Sequence, residues 1–252
     1  MFGYVPGGYA RILETFAERL RERGVEIRLD ARVEKVASLP DQRLQVDSGA
    51  SSEAYERVIF TTPTPIASYC CPELSEAEHE RLRGVDYLGI VCASLLLKKP
   101  ISPYYVTNIT DMSIPMTAVI EMTTIVDPAE LGGSHLVYLP KYVHCKHELF
   151  DRSDDDIQQD FLAALEKMHP HFSRDDVLAF RISRVRNVMA LPTLQYSERL
   201  PAVVTSMPGL YLVTSAQILK GNLNVNETIE IAEEGLSVVE QSVAAELAES
   251  QR

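Results

Sequence analysis

The 252-residue chain carries 24 Lys and Arg against 36 Asp and Glu, a formal charge of -12, and is 46% hydrophobic with no Trp. That balance fits a globular protein of one or two domains and excludes collagen, a coiled coil and a disordered tail. The acidic excess argues against a nucleic-acid partner, no run of about 20 apolar residues offers a membrane span, and the first residues lack a basic-then-apolar secretion signal. In chain order, Ile12, Leu13, Phe16, Ala17 and Leu20 share one face of a predicted helix that Gly24 ends. Residues 25–30 alternate apolar and charged, which predicts a strand. Residues 33–36, 43–46 and 57–62 add strands of a small meander expected beside the first helix, with a turn at Asp47-Ser-Gly49. Pro63, Pro65 and Pro72 read as a stiff connection into a second domain, and Ser75-Glu-Ala-Glu78 as a capping box starting a short helix.

Residues 88–97, 104–109, 116–126 and 135–142 are rich in β-branched and aromatic side chains and predict an antiparallel sheet. Ser153 followed by Asp154, Asp155 and Asp156 starts a helix to about Met168, with Ile157, Phe161, Leu162 and Leu165 inward. Residues 177–188 return to strand. Residues 209–214 form a buried strand, and Ile229, Ala232, Leu236, Val239, Val243 and Leu247 make the stripe of a closing helix capped by Asn224 or Asn226.

Several constellations reduce to structure. His144-Cys-Lys-His147 with Asp151 offers potential ligands, but strand geometry sends His144 and Cys145 to opposite faces, so no metal is expected. His169 and His171 suit a helix end, the three aspartates cap, and Cys70 and Cys71 serve as small apolar residues. Four cysteines without CxxC pairs predict a reducing, cytoplasmic setting. Neither GxSxG nor GxxxxGK[ST] occurs.

The Gly7-Gly8 turn and its helix, residues 25–29, Ala31-Arg-Val-Glu-Lys-Val36, Val58-Ile-Phe-Thr-Thr-Pro63 and Gly209-Leu-Tyr-Leu-Val213 together resemble the C-terminal two-thirds of flavin-containing amine oxidases, protoporphyrinogen oxidases and phytoene desaturases. The resemblance implies an α/β (α+β) fold: an incomplete FAD-binding domain, residues 1–63 and 206–252, plus a mixed, largely antiparallel substrate domain, residues 64–205, with flanking helices. It departs from the family in two places. No two glycines are spaced as GxG, so the phosphate-binding turn is absent. After the strand ending at Thr214, Ser215, Ala216 and Gln217 stand where the family usually carries a glycine and an acid.

By resemblance, the Val33 backbone meets the adenine end of FAD, while Asn224, Val225 and Asn226 at a helix N-terminus face the flavin pyrimidine edge; plain capping is the competing role of the two asparagines. Thr62 and Ser215 complete the cofactor set, and Tyr104, Asn108, Glu121, Tyr138 and Tyr196 are candidate substrate contacts. The implied function is the C-terminal portion of an FAD-dependent oxidoreductase that oxidises a small organic substrate by hydride transfer to flavin, truncated and inactive alone. It would need a separate N-terminal FAD-binding segment or self-association. The alternative is a non-catalytic interaction module that keeps the fold without FAD.

Overall fold

In the computed structural model the chain is described over residues 4–49 and 51–250. It divides into two compact units, one of Met1–Ile27 and Leu88–Val188, the other of Arg28–Tyr87 and Met189–Arg252. These boundaries differ from the expected division at 63 and 206, and residues 1–27 group with the large sheet rather than with the meander.

The first unit contains helix α1 (Gly8–Glu22). Gly7, at φ +86°, starts it and Gly24, at φ +85°, follows its end. The Gly7 N–H and the Tyr4 hydroxyl both donate to Glu130, each at 3.2 Å. α1 buries none of its residues, and Leu13 and Phe16 are about 60% exposed (61% and 60%). The expected strand at residues 25–30 does not form. An alternating pattern becomes a strand only where a neighbouring strand takes up its N–H and C=O groups in a ladder, and no ladder forms over these residues. Leu29 is accordingly exposed.

Five strands, β5 (Tyr87–Leu97), β6 (Val106–Asn108), β7 (Ala118–Glu121), β8 (His135–His144) and β9 (Val177–Ala190), form the sheet in the order β6-β7-β8-β5-β9. β5 alternates strictly, with Val91, Ala93, Leu95 and Leu97 buried, and pairs antiparallel with β8 in a register that sets Ala93 against Leu139 and Leu95 against Val137. Helix α4 (Asp154–Met168) joins this core through Ile157, Phe161, Leu162 and Leu165. Burying each such side chain contributes roughly 1.5–3 kcal/mol. The Ser153 hydroxyl accepts the Asp156 N–H at 3.1 Å, which gives the three aspartates their capping place. His144 and His147 each accept a backbone N–H through Nδ1, from Lys146 and Leu149, and the His169 N–H closes α4 on the Leu165 carbonyl.

The second unit holds an antiparallel meander, β1 (Lys35–Ser38), β2 (Leu44–Ser48) and β3 (Ser51–Tyr55). β3 is polar and mostly exposed, so periodicity gave no sign of it. β4 (Val58–Phe60) does not continue the meander. It pairs in parallel with β10 (Leu210–Leu212), Val58 opposite Leu210 and Phe60 opposite Leu212. Two of the three prolines read as a linker instead start helix α2 (Thr64–Cys70): Pro63 is its N-cap and Pro65 lies in its first turn, where a missing N–H costs nothing.

Helix α3 (Glu76–Arg83) has the expected capping box. The Ser75 N–H donates to Glu78 at 2.9 Å, and the Ser206 N–H reaches the same carboxylate at 2.7 Å. Burial pushes the Glu78 pKa up, but the bonds from Ser206 and Ser75 outweigh it and hold the carboxyl below its usual range. A depressed folded-state pKa adds stability that is complete above the unfolded value of about 4.3 and is lost as pH falls through the folded one. Ser75→Ala is therefore expected to cost about 1 kcal/mol at neutral pH, and less below about pH 4. Urea titrations of both proteins at the two pH values test this; a pH-independent difference would contradict it.

Helix α5 (Tyr196–Arg199) is a single turn, and helix α6 (Val225–Ser250) keeps only part of the predicted stripe inward. Val239 of that stripe is buried and Val243 half-buried, beside buried Gly235, while Ile229, Ala232, Leu236 and Leu247 are exposed. The helix is apolar on two sides, and Gly235 decides between them: a Cβ there would lie 2.7 Å from both Val213 methyl groups, so only glycine allows this approach.

Candidate functional site: a cavity at the ends of a parallel strand pair

Because β4 and β10 run parallel, their C-terminal ends lie at the same edge of the pair, the edge where open α/β sheets receive ligands. There, in the second unit, a cavity of about 1070 Å³ is lined by Ala31, Arg32, Val33, Glu34, Phe60, Thr62, Pro65, Ile66, Tyr69 and Cys70. One wall is the irregular segment 31–34 before β1, another the end of β4, and the third the α2 face, where Ile66 and Tyr69 follow Thr62 at near-helical spacing. The wall is held in place by the Thr64 N–H, which donates to the Tyr87 hydroxyl at 3.1 Å, and by the Cys70 thiol, which donates to the Val33 carbonyl at 3.5 Å. Burial raises the Cys70 pKa and pushes that of Cys71 up to about 12, with neighbouring Cys70 adding to the latter. Both therefore remain thiols.

Of the residues expected at the cofactor, Val33 and Thr62 come together in this cavity. Ser215, Asn224, Val225 and Asn226 are not among its lining. Ser215 opens a short 3-10 turn (Ser215–Gln217) capped by Thr214. The Asn224 Oδ1 accepts the Glu227 N–H at 3.1 Å, so Asn224 takes the capping role, while Asn226 lies inside α6. A smaller cleft of about 200 Å³ beside the start of α6 is lined by Gln217, Lys220 and three glutamates among others.

The candidate substrate residues are dispersed. Tyr104 is exposed, Asn108 ends the outer strand β6, Tyr138 sits half-buried on β8, and Glu121 is fully buried at the end of β7. Tyr196 is in the second unit, buried, its hydroxyl donating to the Ala216 carbonyl at 2.8 Å. Burial, with Tyr87 nearby, pushes its pKa up to about 12. Sequence reasoning missed Phe60, Ile66, Tyr69 and Cys70; the signal was the helix hidden behind Pro63 and Pro65.

The cavity sets the 31–34 segment beside the apolar and aromatic side chains of Phe60, Ile66 and Tyr69. No two glycines of the sequence are spaced as GxG, the pattern of a phosphate-binding turn. After β10, the Gln217 side chain accepts the Thr214 N–H and donates to the Leu212 and Pro201 carbonyls, closing the loop on itself.

The sequence model of the flavin-containing amine oxidoreductases matches residues 2–222. The chain belongs to that family. Among solved structures, a protein assigned as a protoporphyrinogen oxidase from Exiguobacterium sp. 255-15 superposes with a TM-score of 0.67 at 20% identity, over 89% of this chain and 51% of its own. An oxidoreductase from Methanosarcina mazei gives 0.69 at 20%, over 93% and 54%. Wild-type putrescine oxidase bound to putrescine gives 0.67 at 13%, over 92% and 53%. At these identities the likeness establishes the fold alone, and the chain spans about half the length of the structures it matches. No curated protein matches it. No helix among the described residues is long and apolar enough to cross a membrane.

Proposed function

We propose that the chain is the adenosine-pocket and substrate-sheet portion of an FAD-dependent oxidoreductase of the amine-oxidase type. The observation that carries this reading is the cavity at the C-terminal end of β4, with Val33 and Thr62 in its wall. Residues 31–34 would hold the adenine, and Tyr69, Ile66 and Phe60 would exclude water from it. When bound, the flavin supplies a hydride acceptor for oxidation of a C–N or C–C bond in a small organic substrate. The glycine-rich phosphate turn is not in these 252 residues, and polypeptide beyond them, on the same or another chain, would supply it. Four free cysteines fit a reducing, cytoplasmic setting.

Adenosine is expected to stabilise the protein against heat, and riboflavin to do so far less. Ile66→Trp, which fills the cavity from an exposed position, should abolish the adenosine effect while leaving the unliganded melting temperature close to wild type. Equal stabilisation of both proteins, or none of either, would refute the adenosine assignment. One observation favours the alternative of a non-catalytic interaction module: in the Ser215-Ala216-Gln217 segment, which carries no acid, Gln217 satisfies its own strand end. Absence of adenosine binding combined with concentration-dependent association would select that reading.

A further inference from the structure

A second cavity of the second unit, about 550 Å³, lies against α2 and α3. Its polar lining is Ser68 and Tyr69 of α2 with Glu76, His79 and Arg83 of α3. Pro65 and Tyr69 are shared with the larger cavity, but Ser68 stands two positions from Ile66 and from Cys70, and so on the opposite side of α2 from both. Three of these side chains form a hydrogen-bonded chain with one direction. The Arg83 Nε–H, which can only donate, meets the Ser68 hydroxyl oxygen at 3.3 Å. Ser68 Oγ lies 2.8 Å from His79 Nδ1, the one acceptor that its own proton has among the described residues. The hydroxyl therefore donates to Nδ1, and the neutral imidazole carries its proton on Nε2. Nε2 meets no partner among the described residues, yet it is not sealed from solvent. Since His79 is only 6% exposed and lines the cavity, that small opening is where its Nε2–H is presented.

Arg83 adds guanidinium N–H groups that Glu76 leaves unmet, because Glu76 Oε1 stands 3.7 Å from Nη1, beyond hydrogen-bond distance. An imidazole and a guanidinium thus both offer donors, and Pro65, Pro72 and Leu74 give apolar surface beside them. Arg83 and Glu76 cancel in formal charge, so a dianion would bring two uncompensated charges into this lining and a carboxylate only one. We infer that this cavity binds a monocarboxylate with a compact apolar body, its oxygens accepting from His79 Nε2 and the Arg83 guanidinium and displacing Glu76 from Arg83. The site does not rest on the cofactor reading.

The test is a titration of the whole chain with phenylacetate at about pH 8, above the ordinary imidazole range, followed through the ring-nitrogen NMR signals of His79. Phenylacetamide, of the same shape without the charge, and inorganic phosphate are the comparators. A saturable shift at Nε2 is expected from phenylacetate, with both comparators at least about tenfold weaker. Arg83→Gln should weaken phenylacetate at least about tenfold, whereas Glu76→Gln, which removes the competing carboxylate, should tighten it. Both side chains are more than half exposed, so both variants are expected to fold. Damage to the fold would weaken binding in each, and the opposite signs therefore separate ligand contact from a structural role. No saturable shift at His79, equal binding of phenylacetamide or phosphate, undiminished binding in Arg83→Gln, or unchanged or weakened binding in Glu76→Gln would overturn the assignment.

Discussion

Gly89→Ala is expected to unfold the sheet unit or to destabilise it by about 3 kcal/mol or more. A Cβ at this position would stand 2.4 Å from the Phe150 ring and 2.7 Å from the carbonyl oxygens of both Val185 and Arg186. Two of the three obstacles are backbone of β9, the strand hydrogen-bonded to β5, and cannot move without breaking the ladder. The third is a buried ring capped by the Arg186 guanidinium, 4.7 Å above its centroid. Trimming Phe150 to Leu in the same protein should therefore recover only part of the loss. Gly24→Ala makes the comparison: Gly24 has φ +85° and nothing within 4 Å, so the change costs only the left-handed backbone, about 1 kcal/mol. Urea midpoints of the two variants are the measurement. A Gly89→Ala midpoint at or above that of Gly24→Ala would show that the contact yields.

Glu121→Ala is the second large effect expected, a loss of about 3 kcal/mol. It strands the buried Ile101 N–H and removes the acceptor of the Thr123 hydroxyl, and each unmet group costs roughly 1–3 kcal/mol. Glu121→Gln should recover most of this, because its carbonyl can still take the Ile101 N–H while its amide donates to a turned Thr123 hydroxyl. Equal loss in both variants, by thermal or urea unfolding, would mean that charge rather than hydrogen bonding holds the turn.

Local chemistry was readable and non-local pairing was not. Ser75 with Glu78, and Ser153 with Asp156, announce their helices because the cap and the N–H it serves lie three residues apart. Residues 25–30 carry a sound alternating pattern and form no strand, since pairing depends on a neighbour the pattern does not contain. The stripe on α6 holds at Val239 and Val243 but fails at Ile229, Ala232, Leu236 and Leu247, because Gly235, a weak helix former, marks the face that approaches Val213 most closely. Within the candidate site, Val33 and Thr62 followed from the family pattern, whereas Ile66 and Tyr69 were hidden by prolines that start a helix as readily as they end one.

The parallel pairing of β4 with β10 also sets an order of assembly. It joins segments about 150 residues apart, a loop whose closure costs several kcal/mol in chain entropy before any contact repays it. During synthesis the residues of β4 must wait until β10 has left the ribosome, while residues 88–188 already hold every strand of their own sheet. Residues 88–188 can condense first and shorten the effective loop, so the half that carries the large cavity is the last to close and the one whose nascent form stays open longest.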